Sequence, residues 1–178
     1  MNGPQQRYSA TAIGLHWLMA ALLVTLVCVG LYMHGLPVSP WKLRVFSWHK
    51  WAGVTAFLLA SVRLAWRAQH RPPELPAGMA PGARLIARAG HAAMYLLLFA
   101  IPLSGWLMSS AKGFQTVYFG VLPIPDLIAK NKELGETLLY VHQLLNLLLA
   151  ALVAGHSAAA LRHHFIDRDD VLTRMLPR

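Results

Sequence analysis

The sequence is poor in cysteine, in charged residues and above all in acidic residues. Cys28 is the only cysteine among 178 residues. A single cysteine excludes an intrachain disulfide, an iron–sulfur cluster, a thiolate zinc site and covalent haem attachment through a CxxCH motif. Only 13% of the residues are charged, and the seven Asp and Glu residues all lie outside the long apolar runs. A metal site rich in carboxylates is therefore excluded inside those runs.

Hydrophobic residues make up 56% of the chain, more than a water-soluble domain of this size buries. A bilayer is crossed by about 20 apolar residues in a helix. Runs of this kind lie at 13–33, 49–66, 91–108 and 138–161. The residues after 161 mix apolar and charged side chains, as in an amphipathic surface segment. The sequence predicts one all-α domain over 1–178, an integral membrane four-helix up-and-down bundle with short loops and a short amphipathic C-terminal tail.

The distribution of Lys and Arg predicts the orientation, because positive residues resist translocation. The side that holds both termini carries Arg7, Arg63, Arg67, Arg71, Arg84, Arg88, Arg162, Arg168, Arg174 and Arg178. The other side carries Lys42, Arg44, Lys50, Lys112, Lys130 and Lys132. Both termini are therefore expected in the cytoplasm. The net charge of +9 would suggest nucleic acid in a soluble protein, but arginines that flank apolar spans meet anionic lipid headgroups instead.

A histidine opens each apolar run, and a small or ionisable residue follows it fourteen positions later. The pairs are His16 with Gly30, His49 with Arg63, His91 with Gly105, and His142 with His156. Residues fourteen apart on a helix lie roughly 40° apart around the axis and roughly 21 Å apart along it. Each pair therefore marks one helix face at two depths.

Antiparallel neighbouring helices sort these residues into two levels. His16, Arg63, His91 and His156 belong to the cytoplasmic level, and Gly30, His49, Gly105 and His142 to the outer level. Ionisable residues at membrane depth usually mark function. Two imidazoles that face each other are what a six-coordinate haem iron needs. The pattern predicts two planar cofactors, one above the other.

At the outer level, His49 and His142 are the only histidines within the spans, so they are predicted to ligate one haem. Gly53, one turn after His49, leaves room for a porphyrin. Arg63 suits a haem propionate, although an ordinary cationic helix flank explains it as well. At the cytoplasmic level, His16, His91 and His156 compete for two axial positions, and their spacing does not choose between them. Without CxxCH, both haems would be non-covalent b type.

Five motifs carry a resemblance to a known family. They are LHW near the start, HKWAG…R in the second run, GH…Y…P..G in the third, H-x13-H in the fourth, and a closing LTRMLP. The chain resembles the bacterial cytochrome b561 family of di-haem membrane proteins over nearly its whole length. More distantly, it resembles the b-type cytochrome subunits of membrane hydrogenases and formate dehydrogenases. The resemblance implies the bacterial inner membrane, His49 with His142 on the outer haem, and His16 with His156 on the cytoplasmic haem. His91 is then a residue of the haem pocket.

Bis-histidine haems are coordinatively full, which favours the passage of one electron at a time. On the cytoplasmic side, His163 lies two turns beyond His156 and next to Arg162, where the pair is predicted to bind a quinone. On the outer side, the cations that we expect to steer a small anionic donor are Lys42, Arg44, Lys50 and Lys112. The resemblance implies an oxidoreductase that oxidises superoxide in the periplasm and reduces ubiquinone.

Two alternatives stay open at this stage. The chain could be a membrane anchor that carries electrons for a partner dehydrogenase or hydrogenase, although its short loops offer little docking surface. It could also be a haem-free bundle that binds or transports a divalent metal. That function predicts clustered ligands with carboxylates, whereas these histidines form two separate levels. The expected partners are membrane lipid, a quinone, superoxide or another small one-electron donor, and a possible redox protein, but no nucleic acid.

Overall fold

The computed structural model describes residues 7–177. Residues 1–6 of the predicted domain and Arg178, one of the counted arginines, lie outside the described residues. The elements along the chain are α1 (Ala10–Gly35), α2 (Pro40–Gln69), α3 (Pro81–Ala111), β1 (Val117–Tyr118), β2 (Leu122–Pro123), α4 (Lys132–Phe165) and a final 3-10 turn (Thr173–Met175). The described part of the chain is therefore mostly helical, as predicted.

The helices begin at capping residues rather than where the apolar runs begin. The Ser39 hydroxyl accepts a hydrogen bond from the backbone N–H of Lys42 at 3.2 Å, and Asn131 caps α4 in the same way through Leu134 at 3.0 Å. Pro40 then occupies the first turn of α2, where its fixed φ suits the helix and no N–H is needed. As a result α2 is 30 residues long and extends past both ends of the run 49–66. Part of the predicted connectors is helical.

Three of these helices, α1, α3 and α4, are long and apolar enough to cross a membrane. Their surfaces are apolar as well, since Leu31, Leu96 and Leu147 are 74%, 70% and 67% exposed. Exposed leucines in this number are typical of a lipid-facing surface. Helix α2 is less apolar because it also contains five cationic residues, Lys42, Arg44, Lys50, Arg63 and Arg67. Its crossing of the membrane stays a prediction.

Contacts between helices bring the histidines to two levels. Helix α1 packs on α2, α2 on α3, and α3 on α4. His49 near the start of α2 faces Gly30 near the end of α1, and His142 near the start of α4 faces Gly105 in the last third of α3. The up-and-down arrangement of the helices stays a prediction. At the opposite ends, side chains of α1 and α4 meet through the His16 ring.

A small hairpin folds over α2 near its outer end. Strands β1 and β2 pair antiparallel, and the turn between them holds Phe119 and Gly120 at φ 49° and 74°. The Trp51 indole N–H donates to the Val117 carbonyl at 2.6 Å, and the Thr55 hydroxyl lies 2.9 Å from the Tyr118 hydroxyl. The sequence analysis expected only a loop here. The hairpin instead covers the helix one to two turns beyond His49.

Candidate functional site

At the outer level, the rings of His49 and His142 face each other. Their centres are 6.5 Å apart and their planes differ by 81°. A methyl group at Gly105 would lie 3.2 Å from His142 Cε1, closer than an ordinary contact, whereas one at Gly30 would lie 3.4 Å from His49 Cε1, at the limit of ordinary contact. These two glycines let the helices approach the imidazoles closely.

Hydrogen bonds fix the tautomer of His142. Its Nδ1 lies 3.1 Å from the Ile101 carbonyl and 3.0 Å from the Ser104 hydroxyl. A carbonyl only accepts, and Ser104 already donates its own proton to the Ile101 carbonyl at 2.7 Å. Nδ1 therefore carries the hydrogen and Nε2 keeps its lone pair, as in histidines that ligate metals. His49 Nδ1 is buried without a partner among the described residues.

An apolar cavity of about 50 Å³ lies between these two rings. Its polar lining consists of His49, His142 and Asn146, whose amide donates to the His142 carbonyl at 2.7 Å. The other lining residues are Leu23, Leu26, Val27, Gly53, Ala56, Leu97, Leu98, Ile101, Pro102 and Leu149. Gly53 has no described atom within 4 Å of its absent Cβ, and its place beside a porphyrin stays a prediction.

At the cytoplasmic level, all three candidate histidines come together. The ring centre of His156 is 6.2 Å from that of His16 and 5.4 Å from that of His91. His91 donates from Nδ1 to the Ala87 carbonyl at 2.8 Å. The Arg63 guanidinium lies 3.1 Å from His16 Nδ1 and donates from Nε to the Tyr95 hydroxyl at 3.2 Å. The predicted propionate ligand is therefore in direct contact with a predicted haem ligand.

Three of the four outer cations have polar partners of their own among the described residues. Lys50 donates to the Ser109 hydroxyl at 2.9 Å and to the Phe114 carbonyl at 2.7 Å. Lys112 pairs with Glu136 at 3.0 Å. Lys42 donates to the Leu36 carbonyl at the end of α1. Arg44 is exposed and has no ion pair within the described residues, so it keeps the most available charge of the four.

His163 has carboxylate partners that the sequence analysis missed. Its Nδ1 lies 2.6 Å from Asp169 and 3.4 Å from Asp167, whose carboxylate is also 3.6 Å from Arg162 Nε. Arg168 turns the chain back with a φ of 52°, an unfavourable value for a non-glycine residue. The only available signal was the run DRDD directly after the helix. Nothing in that run shows that the chain reverses.

Comparison with known proteins gives the family. A family model described as prokaryotic cytochrome b561 matches residues 7–178. The chain belongs to the prokaryotic cytochrome b561 family. It is 36% identical to "Cytochrome b561 homolog 2" of Escherichia coli (strain K12), over 98% of this chain and 93% of the relative. It is 28% identical to "Probable superoxide oxidase CybB" of Yersinia pestis, over 97% of each chain.

Membership in the cytochrome b561 family confirms the resemblance and makes the protein an oxidoreductase of membrane electron transfer. It also implies b-type haem, which favours electron transfer over the haem-free metal bundle. The two levels of histidine provide the donor set that such a cofactor needs.

The imidazole spacing tests whether the residues of this cytochrome b561 fit haem. A metal-to-imidazole nitrogen bond is about 2.0–2.1 Å, and the ring centre lies about 1.1 Å behind that nitrogen, so two trans ligands have ring centres about 6 to 6.5 Å apart. His49 and His142 at 6.5 Å, and His16 and His156 at 6.2 Å, have this spacing. The ring centres of His91 and His156 are 5.4 Å apart, closer than this spacing. The residues fit two haems, and the ligand roles stay predictions.

Proposed function

We propose that this cytochrome b561 carries single electrons across the bacterial inner membrane, from superoxide in the periplasm to ubiquinone at the cytoplasmic side. All four helices, α2 included, form an up-and-down transmembrane bundle with both termini in the cytoplasm. The observation that carries the proposal is the pair of imidazole couples with ring centres 6.5 and 6.2 Å apart, at opposite ends of the helices.

His49 and His142 would hold the outer b haem, and His16 and His156 would hold the cytoplasmic one. Nδ1 of His142 is bonded to the Ile101 carbonyl, which leaves Nε2 for the metal. A bis-histidine haem supplies one-electron transfer without an open position for oxygen. His91 lies beside His156 without the spacing of a ligand, and acts as a pocket residue.

Arg63 has a second role in this arrangement. A His16 that ligates through Nε2 keeps its hydrogen on Nδ1, and a guanidinium has only donors. The observed contact between Arg63 and Nδ1 of His16 must therefore open when haem binds. The freed guanidinium is suited to a propionate, which accepts two of its hydrogen bonds.

On the periplasmic side, the chain attracts a small anion. The exposed Arg44 lies on α2 five residues before His49, and Lys42, Lys50 and Lys112 add positive charge on the same side of the membrane. Charge of one sign raises the encounter rate of an oppositely charged donor. Two superoxide ions each give up one electron and leave as dioxygen.

On the cytoplasmic side, His163 and Arg162 bind ubiquinone, which takes up two electrons and two protons to become ubiquinol. Asp169 accepts the hydrogen of His163 Nδ1 at 2.6 Å. Nε2 is then the atom that takes a proton from the cytoplasm and passes it to a quinone oxygen. Arg162 offers a second donor, at the cost of its 3.6 Å contact with Asp167.

Haem content and stopped-flow kinetics test the proposal. The purified chain should contain two haems, His142→Ala should lose only the outer one, and His156→Ala only the inner one. Loss of the same haem in both variants contradicts the two-level arrangement. Superoxide should reduce the protein faster than it dismutates, and ubiquinone should then reoxidise it. A di-haem protein that does not react with superoxide would instead be an electron-transfer subunit for a partner enzyme.

A further inference from the structure

A cavity of about 340 Å³ opens at the cytoplasmic ends of the helices, away from the predicted quinone residues. It lies between the first turn of α1, the last turns of α2, Tyr95 of α3 and Met175 of the tail. Four guanidinium groups line it, and its lining contains no Asp or Glu. These arginines are Arg7, Arg63, Arg67 and Arg71. We call this cavity the arginine cleft.

Among residues 7–177, no carboxylate forms an ion pair with an arginine of the arginine cleft. Arg7 donates only to backbone carbonyls of the tail, at 2.9 and 3.0 Å. Arg67 lies 5.6 Å from the centre of the Tyr95 ring. The nearby acidic side chains of the tail have other partners, since Asp170 pairs with Arg174 at 2.6 Å and Asp169 with His163. The cleft therefore attracts an anion.

The other residues that line the arginine cleft indicate that it lies at the depth of the lipid headgroups. The Trp66 indole N–H donates to the Ser9 hydroxyl at 3.1 Å, and the Tyr8 ring lies in the same lining. Trp and Tyr are enriched at the membrane interface. On the same helices but deeper in the apolar segment, Leu18 and Val62 are 55% and 53% exposed. A bound molecule with a charged head and apolar chains could place both parts here.

We propose that the arginine cleft binds the phosphodiester headgroup of an anionic phospholipid from the cytoplasmic leaflet. Basic pockets between transmembrane helices on the cytoplasmic side are suited to such headgroups. Arg67 and Arg71 carry this site, whereas Arg63 is assigned to the haem propionate. The proposal rests on the proposed function in two respects: the assignment of the cleft to the cytoplasmic leaflet, and the assignment of Arg63 to the haem propionate. Free phosphate shares the same chemistry, so the test must separate the two sources.

The test uses the full-length haem protein in a zwitterionic detergent, with bound lipid counted by native mass spectrometry. Phosphatidylglycerol, phosphatidylcholine and inorganic phosphate are titrated separately. Phosphatidylglycerol should bind, phosphatidylcholine should bind much more weakly, and phosphate should neither occupy the cleft nor displace the lipid. An arginine near anionic lipid contributes enough that Arg71→Gln should weaken binding about fivefold and Arg67→Gln/Arg71→Gln about 25-fold.

Arg88→Gln is the matched control, because Arg88 is exposed on the same side of the chain but outside the cleft lining. Equal loss in Arg88→Gln and Arg71→Gln, or equal binding of both lipids, overturns the proposal. Occupancy by inorganic phosphate makes the cleft a soluble-anion site and overturns it too. Arg71→Lys keeps the charge and should keep most of the binding, even if Arg71→Gln folds poorly.

The visible haem spectrum separates this inference from the proposed function. Arg71→Gln should keep an unchanged Soret band and reduced α band while it loses lipid. Lipid binding in a protein without haem would refute the proposed function alone. Intact haem without lipid selectivity would refute the cleft alone.

Discussion

Replacement of Gly105 by alanine tests the outer imidazole pair without touching a ligand. The added methyl group would lie 3.2 Å from His142 Cε1 and 3.4 Å from Nδ1. Carbon atoms in ordinary contact are about 3.5–4.0 Å apart, so the ring must retreat by roughly 0.3–0.8 Å. Its Nδ1 bond to the Ile101 carbonyl, four residues before Gly105 on the same helix, holds it against α3. The ring cannot retreat from the added methyl group without stretching this bond.

The size of this shift decides the expected effect. Metal–ligand distances tolerate only about ±0.2 Å. A displaced ligand should therefore weaken the outer haem about 10- to 100-fold, the range typical of lost ligand support. Alanine in a helix is favoured over glycine by about 0.8–1.0 kcal/mol, so the fold itself should not suffer. We expect a stable protein that retains the inner haem and loses the outer one under dilution.

The assay is haem per chain by haemochrome absorbance, with electron paramagnetic resonance to tell the two low-spin centres apart. Gly14→Ala is the control, because Gly14 is exposed in α1 and has no described atom within 4 Å of an added Cβ. Gly30→Ala would place its methyl group 3.4 Å from His49, so its loss of the outer haem should lie between the losses of Gly14→Ala and Gly105→Ala. If Gly105→Ala kept both haems as firmly as Gly14→Ala, the inferred link between this contact and ligation would be wrong.

Three further substitutions test, one by one, the support of the outer haem ligand, the reduction of ubiquinone and the attraction of superoxide. Ser104→Ala removes one hydrogen bond to His142 Nδ1 but leaves the bond to the Ile101 carbonyl. Redox titration should show a shifted reduction potential for the outer haem and an unchanged one for the inner haem. Equal shifts in both potentials would argue against a specific effect of this contact. Asp169→Asn no longer fixes the tautomer of His163, and should slow reoxidation by ubiquinone about tenfold or more while reduction by superoxide keeps its rate; slowing of both steps would place Asp169 elsewhere in the mechanism. Arg44→Gln should slow reduction by superoxide severalfold at low salt, with a difference that fades above about 0.1 M salt; an effect that persists in high salt would contradict steering.

Helical periodicity is sufficient to predict much of the candidate site. The interval of fourteen residues between His142 and His156 places both on one face of α4, and the structure brings each ring to a partner from another helix. Gly30 and Gly105 follow from the same interval, and both lie against imidazoles. Such positions can be predicted because a long helix has fixed geometry, so distance along the chain converts directly into position; the ligand roles themselves stay predictions.

Features that depend on non-local contacts could not be predicted in this way. The spacing in sequence did not choose between His91 and His16; the family resemblance favoured His16, and the ring distances to His156 are 5.4 Å for His91 and 6.2 Å for His16. The bond between His163 and Asp169 depends on the positive φ of Arg168, a conformation that the sequence does not indicate. The helical start of α2 at Pro40 depends on its cap, whereas the prediction followed hydrophobicity alone.

Helix α4 runs without interruption from Lys132 to Phe165 and carries one histidine of each couple. A continuous α-helix is stiff along its axis, so it fixes the distance between His142 and His156. In the proposed function this distance sets the gap between the two haems, and connecting segments can change in length without altering it. Insertion of one residue between His142 and His156 would instead rotate one imidazole by about 100° relative to the other, and no adjustment elsewhere in the chain could realign both.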